Sequence, residues 1–202
     1  MVSSPVPWLA IEGPIGVGKT TLALLTGASL NADLILEQFE ENPFLALFYD
    51  NPERYALQTQ LYFLLDRFDQ LTELGPATRP RVSDYMFAKD RIFAELILAD
   101  DVLRRYRKVY SALAPQTPPV SHVVYLRTDV DTLLDRIARR SRSYEQTIAP
   151  DYLERLTAGY DAFFGNYTAT PLLRVDTTDI DLVASAADRA ALLQAIDELL
   201  AE

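Results

Sequence analysis

Five short apolar runs mark the chain: Trp8 to Glu12, Asp33 to Glu37, Arg81 to Tyr85, His122 to Arg127 and Leu172 to Asp176. Each is strand length and each ends in polar or turn residues. The segments between them carry apolar residues at helical spacing, most clearly Leu57, Leu61, Leu64, Leu65, Phe68 and Leu71, which fall on one helix face. A second such segment, Ala186 to Leu200, places Ala187, Ala190, Ala191, Leu193, Ile196 and Leu200 in register to pack on the core. Strands that alternate with helices predict a doubly wound parallel α/β sheet. Asn42-Pro43, Asn51-Pro52 and Pro118-Pro119 mark helix starts and loops, and no stretch has the composition of a linker, repeat or low-complexity tract. Residues 1–202 are therefore expected to form one domain.

Open parallel sheets bind ligands beyond the carboxyl ends of their strands. Glu12, Gly13, Glu37, Asp84, Arg127, Asp176 and Thr177 close the five runs, so they should gather along one edge. One run end carries more than polarity. Gly13, Pro14, Ile15, Gly16, Val17, Gly18, Lys19 and Thr20 satisfy the phosphate-loop pattern, between a buried strand and the amphipathic segment Thr20 to Ser29. Glycines let the backbone wrap phosphate oxygens, successive N–H groups and the helix N-terminus supply partial positive charge, and Lys19 adds a full one. Thr20 offers its hydroxyl to Mg²⁺, and Thr21 completes the nucleotide-binding segment. The context predicts the P-loop kinase fold, a five-stranded parallel sheet in the order 2-3-1-4-5 flanked by helices, binding ATP or GTP.

Composition narrows what accepts the phosphoryl group. The chain has no cysteine and a single histidine, His122, at the start of its strand and away from the ligand edge. A general base for a hydroxyl acceptor must then be a carboxylate. Glu37 and Asp84 end the strands nearest the P-loop strand; one could take a hydroxyl proton while the other holds Mg²⁺ through water. Arg136, Arg139, Arg140 and Arg142 crowd a short stretch of a chain whose net charge is -10. Such a cluster suits a lid that closes on developing phosphoryl charge, and Arg136 and Arg140, at i and i+4, could reach the phosphates from one helix face. Gln60 and Arg67 share a helix face with Phe63 between them, suited to reading and stacking on a nucleobase. The acidic balance argues against binding polymeric nucleic acid. No apolar run reaches membrane-span length and no secretory signal precedes the glycines, which predicts a cytoplasmic protein.

Together these residues resemble the deoxynucleoside kinase family over about residues 7 to 180. The resemblance is carried by Ile11 to Thr20, Glu37 followed by Asn-Pro-Phe-Leu at 42–45, Phe48-Tyr49, Pro52 to Arg54, Gln58 to Arg67, Ser83-Asp84-Tyr85, Ile92 to Ala94, and Arg136 through Glu154. It implies an ATP- and Mg²⁺-dependent kinase of deoxynucleosides in nucleotide salvage, purines favoured, acting as a homodimer formed through helix packing. It further implies Glu37 as the base for the 5′-hydroxyl, Tyr49 and Glu145 at the 3′-hydroxyl, Gln60 and Arg67 at the base edge, and Arg136, Arg140 and Arg142 as lid arginines over about residues 136–146. Two positions depart from the pattern. Tyr85 follows Asp84 where relatives carry an arginine, so that Tyr85 or Lys89 stands in for it, and either Lys89 or Asp90 aligns with the acidic residue that some relatives place beside Arg67. A nucleoside monophosphate kinase would need a further basic pocket around its acceptor. A regulatory GTP switch would carry Asn-Lys-x-Asp, which is absent.

Overall fold

The computed structural model describes residues 6–140, 142, 145 and 148–201. Strands β1 (Trp8–Glu12), β2 (Asp33–Ile35), β3 (Arg81–Ser83), β4 (His122–Arg127) and β5 (Leu172–Asp176) form one sheet in the order β2-β3-β1-β4-β5. Every adjacent pair is parallel; Ala10 of β1 lies opposite Ser83 on one side and Val123 on the other. A parallel sheet covered on both faces needs apolar residues at consecutive positions. Accordingly all of β1 is buried, as are Val123 to Leu126 of β4.

Eight helices cover the sheet among the described residues: α1 (Lys19–Leu30), α2 (Leu45–Asp50), α3 (Pro52–Thr72), α4 (Lys89–Ile97), α5 (Asp100–Leu113), α6 (Val130–Arg140), α7 (Pro150–Gly165) and α8 (Ala186–Leu200). None of them is long and apolar enough to cross a membrane. Helix α3 starts where Pro52 occupies the first turn and the Asn51 side chain accepts a hydrogen bond from Arg54 N, a favoured way to begin a helix. The core above the P-loop joins Leu9, Ile11 and Leu22 to Val124, Leu133 and Ile196; a second cluster gathers Trp8, Leu64, Tyr85 and Tyr106 under α3 and α5.

Three details differ from the pattern in the sequence. The residues that α3 buries are Ala56, Thr59, Gln60, Leu64, Arg67 and Leu71, while Leu65 is 48% exposed. The helix is turned so that three polar residues, Thr59, Gln60 and Arg67, face inward. Helix α8 does pack on the core, but through Leu192, Ile196 and Leu199 rather than its alanines. Strands β2 and β3 also stop short of Glu37 and Tyr85, because the Glu37 N–H turns out of the ladder to donate to Asp84 Oδ1 at 2.8 Å.

Candidate active site

The P-loop leaves β1 with three glycines at positive φ: Gly13 at 150°, Gly16 at 85° and Gly18 at 107°. Gly16 shows why no side chain serves there, since an added Cβ would lie 2.9 Å from Ile137 Cγ1 of α6. Gly18 precedes α1, whose unpaired N-terminal amides point along the loop. Lys19 Nζ donates to Gly13 O at 2.9 Å and Pro14 O at 3.0 Å, lying along the same cradle. Burial and the neighbouring Lys89 charge lower the Lys19 ammonium to about 8.

Beside the loop, Thr20 Oγ1 donates to Asp84 Oδ2 at 2.6 Å. A hydroxyl and a carboxylate at the start of the phosphate-binding helix are hard oxygen donors that suit Mg²⁺. The other Asp84 oxygen takes the Glu37 amide, so one carboxylate ties the P-loop helix to the candidate base. The Glu37 carboxylate is gripped by two cations: Arg67 on Oε1, with Nε at 2.9 Å, and Lys89 Nζ on Oε2 at 2.6 Å. Burial would push Glu37 up, but Arg67 and Lys89 outweigh it and hold the group well below the usual carboxylate range.

Behind Glu37 lies a buried polar cluster. Arg67 Nη1 forms an ion pair with Asp90 Oδ1 at 2.7 Å, and Gln60 Nε2 donates to Asp90 Oδ1 at 2.8 Å and to Asp90 O at 3.1 Å. Tyr106 OH reaches the same carboxylate oxygen at 3.3 Å, while Asp90 Oδ2 is buried without a hydrogen-bond partner among the described residues. Burial raises Asp90, against the pull of Arg67. The two alignments left open by the sequence are thereby separated: Asp90 sits beside Arg67, and Lys89 points into the site. Tyr85 is fully buried, and its hydroxyl donates to Gln70 Oε1. The Arg67 guanidinium also lies 4.9 Å from the centre of the Phe63 ring.

One pocket gathers Lys19, Thr20, Glu37, Tyr49, Gln60, Arg67, Asp84, Arg140, Arg142 and Glu145. Arg140 binds Glu145 Oε2 through Nε at 3.1 Å and Nη2 at 2.5 Å, Arg142 reaches Oε1 at 3.4 Å, and Arg142 stacks 4.1 Å above the Phe39 ring. Residues 141, 143, 144 and 146 of the expected lid lie outside the described residues. Arg136 is placed elsewhere: it donates to Val17 O at 3.3 Å, Thr177 Oγ1 at 3.0 Å, Thr177 O at 2.7 Å and Ile180 O at 3.2 Å. Although Arg136 and Arg140 share α6, the first therefore braces the P-loop against the segment after β5 and only the second lines the pocket. Glu12, noted in the sequence only as a strand end, is fully buried and accepts from Gly13 N at 3.2 Å, Met86 N at 2.7 Å and Tyr160 OH at 3.2 Å. Nothing in sequence spacing marks it, because its partners come from three separate elements.

A phosphate loop at the carboxyl edge of a parallel sheet, with a carboxylate held in the same pocket as its lysine, defines a P-loop phosphotransferase. The sequence model of the family described as deoxynucleoside kinase matches residues 9–201. The deoxyguanosine kinase of Bacillus subtilis (strain 168) is 37% identical over 180 residues, 87% of each chain. The deoxyadenosine kinase of Dictyostelium discoideum is 30% identical over 177 residues, covering 85% of this chain and 72% of its own. Among solved structures, the deoxyadenosine kinase of M. mycoides with the products dCMP and a flexible dCDP bound superposes with a TM-score of 0.82 at 25% identity, covering 95% of this chain and 99% of its own. The chain belongs to the deoxynucleoside kinase family, and its reaction is phosphoryl transfer to a deoxynucleoside.

Proposed function

We propose that the chain, as a single kinase domain, moves the γ-phosphoryl group of ATP to the 5′-hydroxyl of a purine deoxynucleoside, deoxyadenosine or deoxyguanosine. The observation that carries this reading is the meeting in one pocket of Lys19, Glu37 and the Gln60 and Arg67 side chains backed by Asp90. A 5′-hydroxyl is a poor nucleophile at neutral pH, so a base must lie within hydrogen-bond reach of it. Glu37 is that base. The cations around it make it a weak one, which suits a loose phosphoryl-transfer transition state in which the hydroxyl proton moves late. Lys19 and the P-loop amides hold the donor phosphates, with Gly13 through Thr21 as the binding segment. Thr20 and Asp84 would hold Mg²⁺, which neutralises charge on the phosphate oxygens when bound.

On the acceptor side, Tyr49 and Glu145 take the 3′-hydroxyl, and Gln60 with Arg67 reads the base edge. Gln60 Nε2 is committed to Asp90, which leaves Oε1 as the amide's acceptor for a donor on the base. The names of the relatives, deoxyguanosine kinase and deoxyadenosine kinase, support a purine. Arg140 and Arg142 close over the donor phosphates and exclude water, and Arg136 fixes the loop that they close upon. A cytoplasmic homodimer fits the same reading: α4 and α7 pack side by side and leave Leu96 and Phe163 partly uncovered.

ATP-dependent phosphorylation of the four deoxynucleosides, with matched ribonucleosides and monophosphates, tests the proposal. Turnover of deoxyadenosine or deoxyguanosine above all others is expected. Turnover of pyrimidines alone would overturn the purine assignment, and turnover of monophosphates alone would remove Glu37, Tyr49 and Gln60 from their roles. Sedimentation of the purified protein decides the dimer.

A further inference from the structure

Lys89 opens α4, yet it is only 4% exposed. Its ammonium lies 2.6 Å from Glu37 Oε2 and 5.6 Å from the centre of the Phe93 ring, and it lines the pocket together with Lys19, Thr20 and Asp84. Burying an ammonium is costly unless it is paired, and Glu37 is the partner that holds this one in the pocket. Lys19 lines the same pocket, and the Lys89 charge is one of the causes that lower its ammonium. Two ammonium groups directed into one pocket define a place for an anion between them.

The backbone around Lys89 is fixed to the phosphate loop. The buried Glu12 carboxylate accepts from Gly13 N and from Met86 N, and Lys89 N donates to Met86 O at 3.0 Å. The first glycine of the P-loop and the turn that begins α4 therefore share one anchor, which ties the backbone that carries Lys89 to the phosphate loop. The residue that directly follows Asp84 cannot supply the charge, since Tyr85 is uncharged, fully buried and bonded to Gln70.

We propose that Lys89 is a catalytic residue whose ammonium passes from Glu37 to the transferring phosphoryl group during the reaction. This rests on the reading of Glu37 as the base. In the step itself the O5′–H bond breaks and its proton goes to Glu37 Oε2. O5′ bonds to the γ-phosphorus, and the bond from that phosphorus to the β–γ bridging oxygen breaks, its electron pair leaving on ADP. Once Glu37 is neutral its hold on Lys89 weakens, and the ammonium, keeping all its protons, hydrogen-bonds a non-bridging oxygen of the phosphoryl group. Charge that stabilised the base before transfer stabilises the phosphate afterwards.

The test compares Lys89→Met and Lys89→Arg with Glu37→Gln, measuring kcat with saturating ATP and deoxynucleoside, ATP affinity by calorimetry and fold by circular dichroism. Lys89→Met should lower kcat by about 10²–10³-fold, the range seen when a single donor to a developing anion is removed, with ATP affinity within about fivefold. Lys89→Arg should recover at least about tenfold of that loss, because it restores a donor and a charge rather than a shape. Folded Lys89→Met with kcat within threefold of the parent overturns the proposal, as does Lys89→Arg that is folded and no faster than Lys89→Met. Should the methionine variant not fold, Lys89→Gln is judged by the same limits. Near-normal turnover of Glu37→Gln would instead remove Glu37 as the base, a result that the Lys89 variants alone could not produce.

Discussion

Arg67 holds two buried carboxylates apart, and its replacement by methionine isolates what that is worth. The side chain sits between Glu37 and Asp90, with Nη1 at 2.7 Å from Asp90 Oδ1, and only 4% of it is exposed. In Arg67→Met, Glu37 keeps Lys89 as a partner, but among the described residues the side-chain hydrogen-bond partners left to Asp90 are Gln60 Nε2 and Tyr106 OH, neither of them charged. Breaking a buried pair from one side costs about 3–5 kcal/mol, because the remaining charge is uncompensated. For a chain of this length each kcal/mol moves Tm by about 2–4 °C, which gives a fall of about 6–20 °C. Asp90→Asn alone should cost less, since Arg67 keeps Glu37. The double variant should then be more stable than the sum of the single changes predicts, with a coupling of about 2–3 kcal/mol. Urea denaturation followed by circular dichroism, with thermal melts as a second probe, measures all four corners. A loss below about 1 kcal/mol for Arg67→Met, or a double variant additive within about 0.5 kcal/mol, would refute the claim that this pair is buried and coupled.

The remaining predictions concern the loop, the base and the lid. Glu37→Gln should retain ATP binding while losing about 10²–10⁴-fold in kcat, the usual worth of a general base. Glu37 is held well below the usual range, so its contribution to stability is fully present above the unfolded carboxylate value of about 4.3 and is lost as pH falls below that towards the depressed native value. The stability difference between parent and Glu37→Gln should accordingly be flat from neutral pH down to about 5 and shrink below about 4.3; a difference that grows in acid would contradict the ion-pair geometry. Gly16→Ala forces a Cβ against Ile137 at φ +85°, a strain of about 1–3 kcal/mol. It should weaken ATP binding about tenfold or more by calorimetry, and parental affinity would show that the loop tolerates a side chain there. Arg140→Ala should lower kcat by about tenfold or more while deoxynucleoside affinity changes less than about threefold; the reverse split would move Arg140 from the phosphate side to the acceptor side.

Much of this architecture was legible from hydrophobic runs. A parallel strand must be apolar at consecutive positions, so β1 and β4 announce themselves, and the glycine spacing after β1 admits few alternatives to a phosphate loop. Helix α3 was harder for a physical reason. Its period is plain, and Leu64 and Leu71 of the apolar stripe are buried, but Leu57, Leu61 and Phe68 lie at the edge of the buried face and Leu65 outside it, because Gln60 and Arg67 belong inside. Their partners, Glu37 after β2, Asp90 on α4 and Tyr106 on α5, make that burial affordable, and partners distant in sequence leave no periodic trace. The same holds for Asp90, which reads as an ordinary acid in the first turn of a helix until Arg67 is placed beside it. Arg136 shows the opposite error: shared helix face with Arg140 predicted shared purpose, but the loop after β5 presents carbonyls to one and not to the other.

The charge distribution explains how an acidic chain can bind a polyanion. Its net charge of -10 acts at long range, where salt screens fields beyond about 8 Å, and opposes any extended phosphate backbone. Inside the pocket the balance is local: among the described residues Lys19, Arg67, Lys89, Arg140 and Arg142 line it with Glu37, Asp84 and Glu145, and the buried Glu12 lies behind the two lysines. Those carboxylates do not cancel the cations so much as position them. Asp84 holds Thr20 and the Glu37 amide, Glu37 holds Lys89, and Glu145 holds both arginines. An incoming phosphate would meet cations already oriented: Lys89, Arg140 and Arg142 each hold a carboxylate that a phosphate oxygen can replace at little reorganisation cost, and Lys19 is held by the Gly13 and Pro14 carbonyls. A small anion deep enough to reach them gains that exchange.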